Sequence, residues 1–347
     1  MPMRKRSGPI STRCTANHNN PPRRMSEGTN PIFEFIVDDD EGGCRFDTLM
    51  GTVFPDISRT LAGRLIRDNL IRVNGKIRKP GFRVTPGEII SGSIPPRNRP
   101  LINPEAIDID ILYEDADCVV LNKPPGMVVH PAPGHSGGTL ANALVYRYPD
   151  ILGIGGIDSR SGIVHRLDKD TSGVMLAART TEAHSALSLQ FKNRLVRKTY
   201  LGFVYGIPAK EGSITLPIGR HPGHRKKMTA HDPANPRDAE TRWHVMSQLN
   251  DVALVAFSIA TGRTHQIRVH CAAMRHPIIG DTLYGPSHPN RSFNLTKKTA
   301  ALAASVSRHL LHARVISFTH PSTGEILTFE APIPADMLAF QKGLDPD

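Results

Sequence analysis

The chain has 347 residues, with 43 lysines and arginines against 32 aspartates and glutamates, so its formal net charge is +11. No apolar run approaches the ~20 residues that a membrane-spanning helix needs, and the excess of positive charge favours a polyanionic partner such as nucleic acid. The four cysteines form no CxxC pair, which predicts a reducing, cytoplasmic setting and no structural zinc. A merely basic protein without such a partner is the alternative that charge alone leaves open.

Residues 1–43 are rich in Asn, Pro, Gly and charge, and the acidic run at residues 38–41 interrupts any amphipathic pattern. Such a segment buries too little apolar surface to fold, so we expect a basic, disordered tail. Its first 24 residues contain no acid and lack the apolar core of a secretory signal. An organelle-targeting peptide, or a gene start placed upstream of true initiation at Met25, are the alternatives.

The next segment predicts a helix, a second helix and a hairpin. Apolar residues recur at helical spacing in two groups, which are Phe46, Leu49, Met50 and Val53, and then Leu61, Leu65 and Ile66. In the following run, "LIRVNGKIR", Asn74 and Gly75 separate two alternating segments, which is the strongest local pattern for a tight β-hairpin.

This small segment is far more basic than the chain as a whole. Between Arg59 and Arg99 it carries ten lysines and arginines and only two acids, so it is a candidate RNA-binding unit with Arg59, Arg64 and Lys76 as contacts. The stretches "RFDTL", "SRTLAGRLIRDNLIRVNGK" and "VTPGEII" resemble the S4 RNA-binding domain, a small α/β fold, over residues 44–95. We interpret the proline-rich residues 96–106 as an extended linker.

Residues 107–335 mix strand-like and helix-like runs without regular alternation. The strand-like runs are "CVVLNK", "GVMLAAR", "TYLGFVYG" and "VALVAFSIA". Residues 181–194 predict a helix, because Ala183, Leu187 and Phe191 form an apolar stripe at four-residue steps. This pattern favours an α+β domain on a mixed, largely antiparallel sheet flanked by helices, with residues 336–347 as a C-terminal tail.

The densest cluster of polar residues is "HRLDKDTSG", His165 to Gly173, which directly precedes a predicted strand at residues 174–178. Active groups are often held on a loop at the edge of a rigid strand. Aspartate, threonine, serine and glycine are also good turn formers, so a plain turn is the alternative from the residues alone.

That cluster is very similar to the motif of the RluA-type pseudouridine synthases, in which the aspartate of HRLD is catalytic. Further matching stretches follow in order: "NKPPGMVVHPAPG", "KTYLGFVYG", "PIGRHP", "TGRTHQIRVH", "HPIIGDTLYG" and "LLHARVISFTHP". The resemblance spans residues 44–335 and is closest to the RluD-like enzymes, which modify large-subunit ribosomal RNA. It implies an isomerase whose essential carboxylate is Asp168.

The implied reaction cuts the bond between C1′ and N1 of a uridine, rotates the uracil and joins C1′ to C5. No atom is gained or lost, so we expect neither a cofactor nor a metal, and the sequence has no GxGxxG or P-loop motif. The carboxylate could add covalently to the nucleotide or remove a sugar proton, and the sequence leaves both open.

Three further residues take roles from the resemblance. Arg268 is the expected partner of Asp168, near the start of a helix that we predict to be capped by Thr264. Tyr200 is expected to pack against the target base, and Arg166 to enter the RNA in place of the flipped uridine. A surface arginine, a core tyrosine and a phosphate contact are the respective alternatives.

The sixteen histidines show no metal-ligand spacing, so we predict no metal site. Arg220, Arg225 and Lys226 belong to a basic stretch that we interpret as an RNA-facing loop, with a solvated loop as the alternative. The predicted partner is ribosomal RNA, bound by a monomer without membrane association. A non-catalytic RNA-binding or ribosome-assembly factor that retains the fold is the second hypothesis.

Overall fold

The computed structural model describes residues 23–24, 32–54, 57, 59–95, 102–132, 134–155, 161–224 and 226–344. The chain divides into two compact units, Met1–Pro100 and Leu101–Asp347. Among the helices in the described ranges, none is both long and apolar enough to cross a membrane.

The first unit packs two helices on a four-stranded sheet with the strand order β1-β2-β4-β3. Its elements are β1 (Arg23–Arg24), β2 (Ile32–Ile36), α1 (Phe46–Val53), α2 (Arg59–Arg67), β3 (Ile71–Val73) and β4 (Ile89–Ser93). Both helices lie where the apolar spacing predicts them, and Phe46, Leu49 and Met50 of α1 are fully buried.

Strand β2 corrects the expectation that residues 1–43 have no fold. It pairs antiparallel with β4, and Phe33, Phe35 and Val37 are buried in the core of the unit. These apolar residues alternate with outward-facing ones, which is the period of a strand with one buried face. The acidic run that follows them at residues 38–41 conceals this short pattern in the composition.

The hairpin prediction is right about the turn and wrong about the strand partner. Asn74 and Gly75 have φ angles of 49° and 69°, and the backbone groups of Val73 and Lys76 exchange hydrogen bonds across this turn. Beyond that bridge, however, the ladder partner of β3 is β4, with Val73 opposite Ile90. The ladder between β3 and β4 therefore takes the place of the longer hairpin that the turn favours.

The second unit contains twelve strands and six helices among its described residues. The strands are β5 (Asp110–Glu114), β6 (Cys118–Lys123), β7 (Ser172–Ala178), β8 (Arg197–Tyr205), β9 (Glu211–Ile214), β10 (Ile218–Arg220), β11 (Met228–Thr229), β12 (Ala234–Arg237), β13 (Thr241–Leu249), β14 (Val252–Ile259), β15 (Leu311–Thr319) and β16 (Ile326–Glu330). The helices are α3 (Leu140–Arg147), α4 (Thr181–Lys192), α5 (Gln266–Ala273), α6 (Pro289–Phe293), α7 (Lys297–Ser305) and α8 (Ala335–Leu344).

A nine-stranded sheet forms the framework of this unit, with the order β5-β6-β7-β15-β8-β14-β13-β9 and with β16 paired to β15. Strands β7 and β15 run parallel, and the other pairs of this sheet are antiparallel. The prediction of a mixed, largely antiparallel sheet with helices is confirmed. Helix α4 also follows its prediction, because Ala183 and Leu187 are buried and Phe191 packs against the core.

Strand β7 is buried along its whole length, between β6 and β15. Its run "SGVMLAA" is continuously apolar after the first residue, as expected for a strand covered on both faces. The polar loop that carries Asp168 ends where this strand begins. A rigid central strand therefore holds the functional loop.

Helix α8 corrects the expectation that residues 336–347 are a tail. Met337, Phe340 and Leu344 recur at three- and four-residue steps, and all three are buried in one cluster with Phe203 of β8. Burial of side chains of this size stabilises a fold by about 1.5–3 kcal/mol each, which favours docking of this segment against the sheet. The helix ends next to the three last residues, which lie outside the described ranges.

A separate three-stranded sheet, in the order β11-β10-β12, stands beside α5. Ile218 of β10, Ala239 and Val269 of α5 form a small buried cluster, against which Met228 and Tyr284 pack. This small sheet is thereby fixed against the helix that carries Arg268.

Candidate active site

A cleft of about 510 Å³ lies between the loop that precedes β7 and the segment that leads into α5. Arg166, Asp168, Tyr200 and Arg268 all line this cleft, together with His265. The structure thus brings together the four residues to which the sequence assigns chemistry or base flipping, although they are up to 102 positions apart in the chain.

Asp168 and Arg268 form an ion pair at the floor of the cleft. A terminal nitrogen of Arg268, Nη1, donates to Oδ2 of Asp168 at 3.0 Å. The arginine side chain is only 8% exposed and the aspartate 19%, so the pair lies in a poorly solvated setting. Charged groups in such a setting interact more strongly than they do in water.

A second carboxylate, Asp281, holds the same guanidinium from the other side. Nε and Nη2 of Arg268 donate to its two oxygens at 2.7 and 2.9 Å, and Oδ1 also accepts the backbone N–H groups of Leu283 and Tyr284. Burial lowers the pKa of Arg268, but the hydrogen-bonded and charged Asp281 and Asp168 outweigh burial and raise it. Arg268 is therefore a fixed cation, with one nitrogen turned to Asp168.

Tyr200, on β8, is buried beside this pair. Burial raises the pKa of its phenol, and the negative charge of Asp168 raises it further. The hydroxyl group is therefore protonated at neutral pH. Tyr200 offers a flat ring and an uncharged hydroxyl to whatever enters the cleft.

His265 occupies the N-cap position of α5 in the left-handed conformation, with φ of 58°, and the helix has no side-chain cap. The prediction that Thr264 caps this helix is wrong. The turn is instead held by Gln266, whose Oε1 accepts the Thr261 hydroxyl at 2.8 Å and the Arg263 backbone N–H at 3.1 Å.

The imidazole of His265 lies between Asp168 and Tyr284. Its Nε2 is 3.9 Å from Oδ1 of Asp168, and its Nδ1 is 2.7 Å from the hydroxyl of Tyr284. That hydroxyl also accepts the backbone N–H of Met228, while the Tyr284 ring lies 5.1 Å from the guanidinium carbon of Arg268. Burial lowers the pKa of His265, although the charge of Asp168 opposes the shift.

Two buried cations hold the backbone directly after Asp168. Lys123, at the end of β6, is fully buried and donates to the carbonyl oxygens of Pro124, Met127 and Lys169. Burial lowers the pKa of Lys123 to about 7. Arg308 donates to the carbonyl oxygen of Asp170 at 3.0 Å. The carbonyls of two consecutive loop residues are thus both fixed.

Histidines clamp the rest of the loop. Nε2 of His165 accepts the backbone N–H of Leu176 in β7, and its ring stacks on Phe191 of α4. At the other end of the loop, the hydroxyl of Thr171 is hydrogen-bonded to His309 at 2.8 Å. Asp168 therefore sits on a loop that is rigid on both sides, as reaction geometry requires.

Comparison with known proteins agrees with this arrangement. The RNA pseudouridylate synthase family model matches residues 117–273, and the S4 domain model matches residues 44–90. The uncharacterized RNA pseudouridine synthase YlyB of Bacillus subtilis (strain 168) is 39% identical over 306 residues, which cover 88% of this chain and 95% of that protein. The chain belongs to the RNA pseudouridine synthase family. The predicted enzyme class and S4 resemblance are confirmed.

Other relatives of this synthase point the same way. Ribosomal large subunit pseudouridine synthase D of Pasteurella multocida (strain Pm70) is 37% identical over 88% of this chain and 92% of that protein. Among solved structures, human RNA Pseudouridylate Synthase Domain Containing 4 matches with a TM-score of 0.53 and 27% identity, over 68% of this chain and 92% of that one. The predicted catalytic fold is confirmed.

The remaining predicted contacts of the synthase lie outside the cleft. Arg59 and Arg64 are exposed on α2, and Lys76 is exposed at the turn after β3. Arg220 and Lys226 are exposed next to the small sheet, and Arg225 lies outside the described residues. Arg59 pairs with Asp47 at 3.2 Å, and Arg64 with Asp68 at 3.5 Å.

One group of described residues in the synthase has metal-ligand chemistry: Asp115, Cys118 and His320. Oδ2 of Asp115 accepts the Tyr113 hydroxyl and the Nε2–H of His320, and Oδ1 accepts the backbone N–H of Cys118. Nδ1 of His320 accepts the backbone N–H of Thr323, which places the ring proton on Nε2. The ligand atoms of the carboxylate and imidazole are therefore used within the chain, and we interpret the group as a structural clamp.

Sequence reasoning assigned no role to Asp281, Tyr284 or Lys123, although all three lie in quoted motifs. A glycine-bounded "GDTLYG" is typical of a turn, and nothing in its spacing shows that the acid is fully buried against Arg268. The signal for Lys123 was a lysine at the end of a largely apolar, buried strand.

Proposed function

We propose that this synthase isomerises specific uridines of large-subunit ribosomal RNA to pseudouridine, with Asp168 as the essential carboxylate. The observation that carries the proposal is the Asp168–Arg268 pair in a cleft that also presents Tyr200. The target class is supported by relatives named ribosomal large subunit pseudouridine synthase D, at 35–38% identity.

The surroundings of Asp168 suit both mechanisms, which are covalent addition to the nucleotide and removal of a proton from its sugar. Arg268 donates to Oδ2 of Asp168 and so holds the carboxylate in one orientation in the cleft. Oδ1 is the oxygen left to attack C1′ or to remove a proton from the sugar, and either step precedes rotation of the uracil. Because Asp281 fixes the guanidinium, the carboxylate keeps its position as the base turns.

The uracil has to leave the RNA stack to reach Asp168. Tyr200 lines the cleft and supports the extruded ring with its flat face. Arg166 is exposed at the edge of the same cleft, two residues before the carboxylate, and its planar guanidinium fills the gap that the base leaves.

Phosphate contacts outside the cleft hold the RNA. We assign them to Arg59, Arg64 and Lys76 of the first unit, and to Arg220, Arg225 and Lys226 of the basic stretch at residues 220–227. Cations at exposed positions bind a phosphate backbone without reading sequence. The synthase acts in this scheme as a cytoplasmic monomer that needs no cofactor or metal.

Replacement of the carboxylate by an amide tests the proposal. We expect Asp168→Asn to lower product formation by at least about a thousandfold, because an amide neither attacks C1′ nor accepts a proton. RNA affinity should stay within about threefold, because that carboxylate makes no phosphate contact. Pseudouridine is measured by mass spectrometry of ribosomal RNA incubated with each protein.

The matched control is Asp170→Asn, which makes the same change two residues away, at a side chain that does not line the cleft. It should retain most of the activity. Substantial turnover by Asp168→Asn would refute the assignment. Mapping of uridines in the host ribosomal RNA, with and without this gene, identifies the target, and an unchanged map would contradict the proposed substrate.

A further inference from the structure

A second depression, of about 770 Å³, lies between the small sheet and residues 262–264. Three arginines line it: Arg220 of β10, Arg237 of β12 and Arg263. None of the described residues that line this depression carries a carboxylate. We call it the arginine groove.

The small sheet fixes the spacing of these arginines. In the pairing of β10 with β12, Arg220 lies opposite Ala234, and Ile218 opposite Arg237. A Cβ atom at Gly219 would come within 2.4 Å of the Ala234 carbonyl oxygen, so the two strands approach more closely than any other residue at 219 would allow. Arg220 and Arg237 therefore belong to two closely paired strands.

Arg263 is anchored in the same place from the other side. Its Nε donates to the carbonyl oxygen of Asp238, the residue that follows β12, at 3.0 Å. A guanidinium held through Nε keeps its terminal nitrogens in a defined plane, which suits an anion with several acceptor oxygens. Positive charge thus converges on one groove from two strands and a loop.

The groove continues into the catalytic cleft. Gly262, Arg263 and Thr264 line both of them. The hydroxyl of Tyr284 further ties the small sheet to the cleft, because it accepts the backbone N–H of Met228 and is hydrogen-bonded to His265. An anion in the groove would therefore sit at a fixed distance from Asp168.

We propose that the arginine groove binds a backbone phosphate of the RNA next to the flipped uridine. The inference rests on the proposed function only in taking RNA as the substrate. Arginines pair with phosphate oxygens through parallel N–H bonds, and the described residues that line the groove bring no carboxylate against Arg237 or Arg263. An adjoining phosphate is the anion that must lie beside the cleft when a nucleotide occupies it. The groove thereby fixes the position of the RNA strand relative to Asp168.

The test compares Arg237→Gln with Arg242→Gln in the full-length protein. Arg237 lines the groove and not the cleft, whereas Arg242 is an exposed arginine of β13 that pairs with Glu240 and lines neither. Affinity for a ribosomal RNA fragment that the wild-type protein binds is measured over a range of salt concentrations. For Arg237→Gln we expect the slope of log affinity against log salt to fall by about 0.7–0.9, the value for one phosphate contact. Arg242→Gln should keep the wild-type slope.

A second arm identifies the phosphate. Two RNAs are prepared, each with one uncharged methylphosphonate, either 5′ or 3′ to the target uridine. At one of these positions we expect wild type and Arg237→Gln to bind with equal affinity, because the contact is already lost. A wild-type slope for Arg237→Gln, or an undiminished difference at both positions, would overturn the proposal. Competition by inorganic phosphate with no coupling to either methylphosphonate would show a site for free anions only, and would overturn it too.

The two proposals fail in different ways. Loss of the groove contact changes RNA affinity and its salt dependence, whether or not the wild-type protein forms product. Absence of product from the wild-type protein on every ribosomal RNA would instead contradict the proposed function. It would leave the binding measurement on Arg237→Gln unaffected.

Discussion

The catalytic cleft and the first unit of the chain use charge in different ways. In the cleft, Arg268 and Asp281 are buried and interlocked, with two hydrogen bonds between them and a third from Arg268 to Asp168. At the end of helix α2, Arg64 and Asp68 form one pair at 3.5 Å, with 76% and 53% of their side chains exposed. Breaking a buried pair leaves a desolvated charge, whereas an exposed pair returns to water. The cleft therefore holds a few fixed charges, whereas the exposed charges at the end of helix α2 are only weakly paired.

Asp47 shows that the difference depends on whether a charged group is buried, and not on which of the two units contains it. It is a buried carboxylate of the first unit, and it accepts hydrogen bonds from Arg45 at 3.0 and 2.9 Å and from Arg59 at 3.2 Å. Burial raises the pKa of Asp47, but the two arginines outweigh burial and lower it. Arg59 is thus partly committed to structure, which leaves Arg64 as the cleaner probe of RNA binding.

Among the residues that support the Asp168–Arg268 pair, the largest effect should follow removal of the negative charge of Asp281. We expect Asp281→Asn to lower the single-turnover rate by about a hundredfold, since the guanidinium loses the partner that orients it toward Asp168. It should also lower the free energy of unfolding by about 3–5 kcal/mol, because a buried cation is left without its main counter-ion. Rapid-quench assays and urea denaturation measure the two quantities.

Glu330→Gln is the control for that change. Glu330 pairs with Arg314 on the main sheet, but it is 56% exposed, and its loss should cost less than about 1 kcal/mol and leave the rate unchanged. Equal losses from Asp281→Asn and Glu330→Gln would contradict the difference between buried and exposed charge.

An intermediate effect should follow removal of one hydroxyl group. Tyr284→Phe keeps the ring beside Arg268 but loses the hydroxyl shared by His265 and the Met228 backbone. We expect the rate at saturating RNA to fall about tenfold with little change in KM, because a misplaced histidine affects the step after binding. Single-turnover kinetics over a range of RNA concentrations separate the two.

The matched control for that substitution is Tyr148→Phe. Tyr148 is also buried, and its hydroxyl is hydrogen-bonded to Arg147 and Glu114, but it does not line the cleft. Its loss should affect stability alone. If Tyr284→Phe acted only through stability, as this control should, the hydroxyl would have no part in positioning His265.

Features that depend on local sequence patterns could be predicted from the sequence, and features that depend on distant contacts could not. Helices α1 and α4 and the buried strands follow from apolar periodicity, which is a local property. Asp168, Tyr200, Arg268 and Arg166 were found through motif resemblance, and the structure places all four in one cleft. Strand β2 was missed because it is short and pairs with a strand distant in the sequence, and helix α8 because its few apolar residues pack against distant residues of the chain.

The residues that hold the site residues in place could not be predicted from the sequence, because their contacts are also distant along the chain. Asp281 contacts Arg268 across thirteen positions, and Lys123 reaches Lys169 across forty-six. No periodicity encodes a contact between a turn and a helix, or between a strand end and a loop carbonyl. Sequence shows which groups can react, while the fold determines what holds them in place.

The smallest effect should come from helix α2 of the first unit. We expect Arg64→Ala to change the free energy of unfolding by less than about 0.5 kcal/mol, since Arg64 and Asp68 are an exposed pair and the basic residue precedes the acidic one, which is the weaker orientation. If Arg64 contacts a phosphate, the salt slope should nevertheless fall by about 0.7–0.9. Asp68→Asn breaks the same pair without removing a cation, so it should leave the slope unchanged. Unchanged slopes for both variants would mean that the pair is solvated and that the grip of this unit lies elsewhere on its surface.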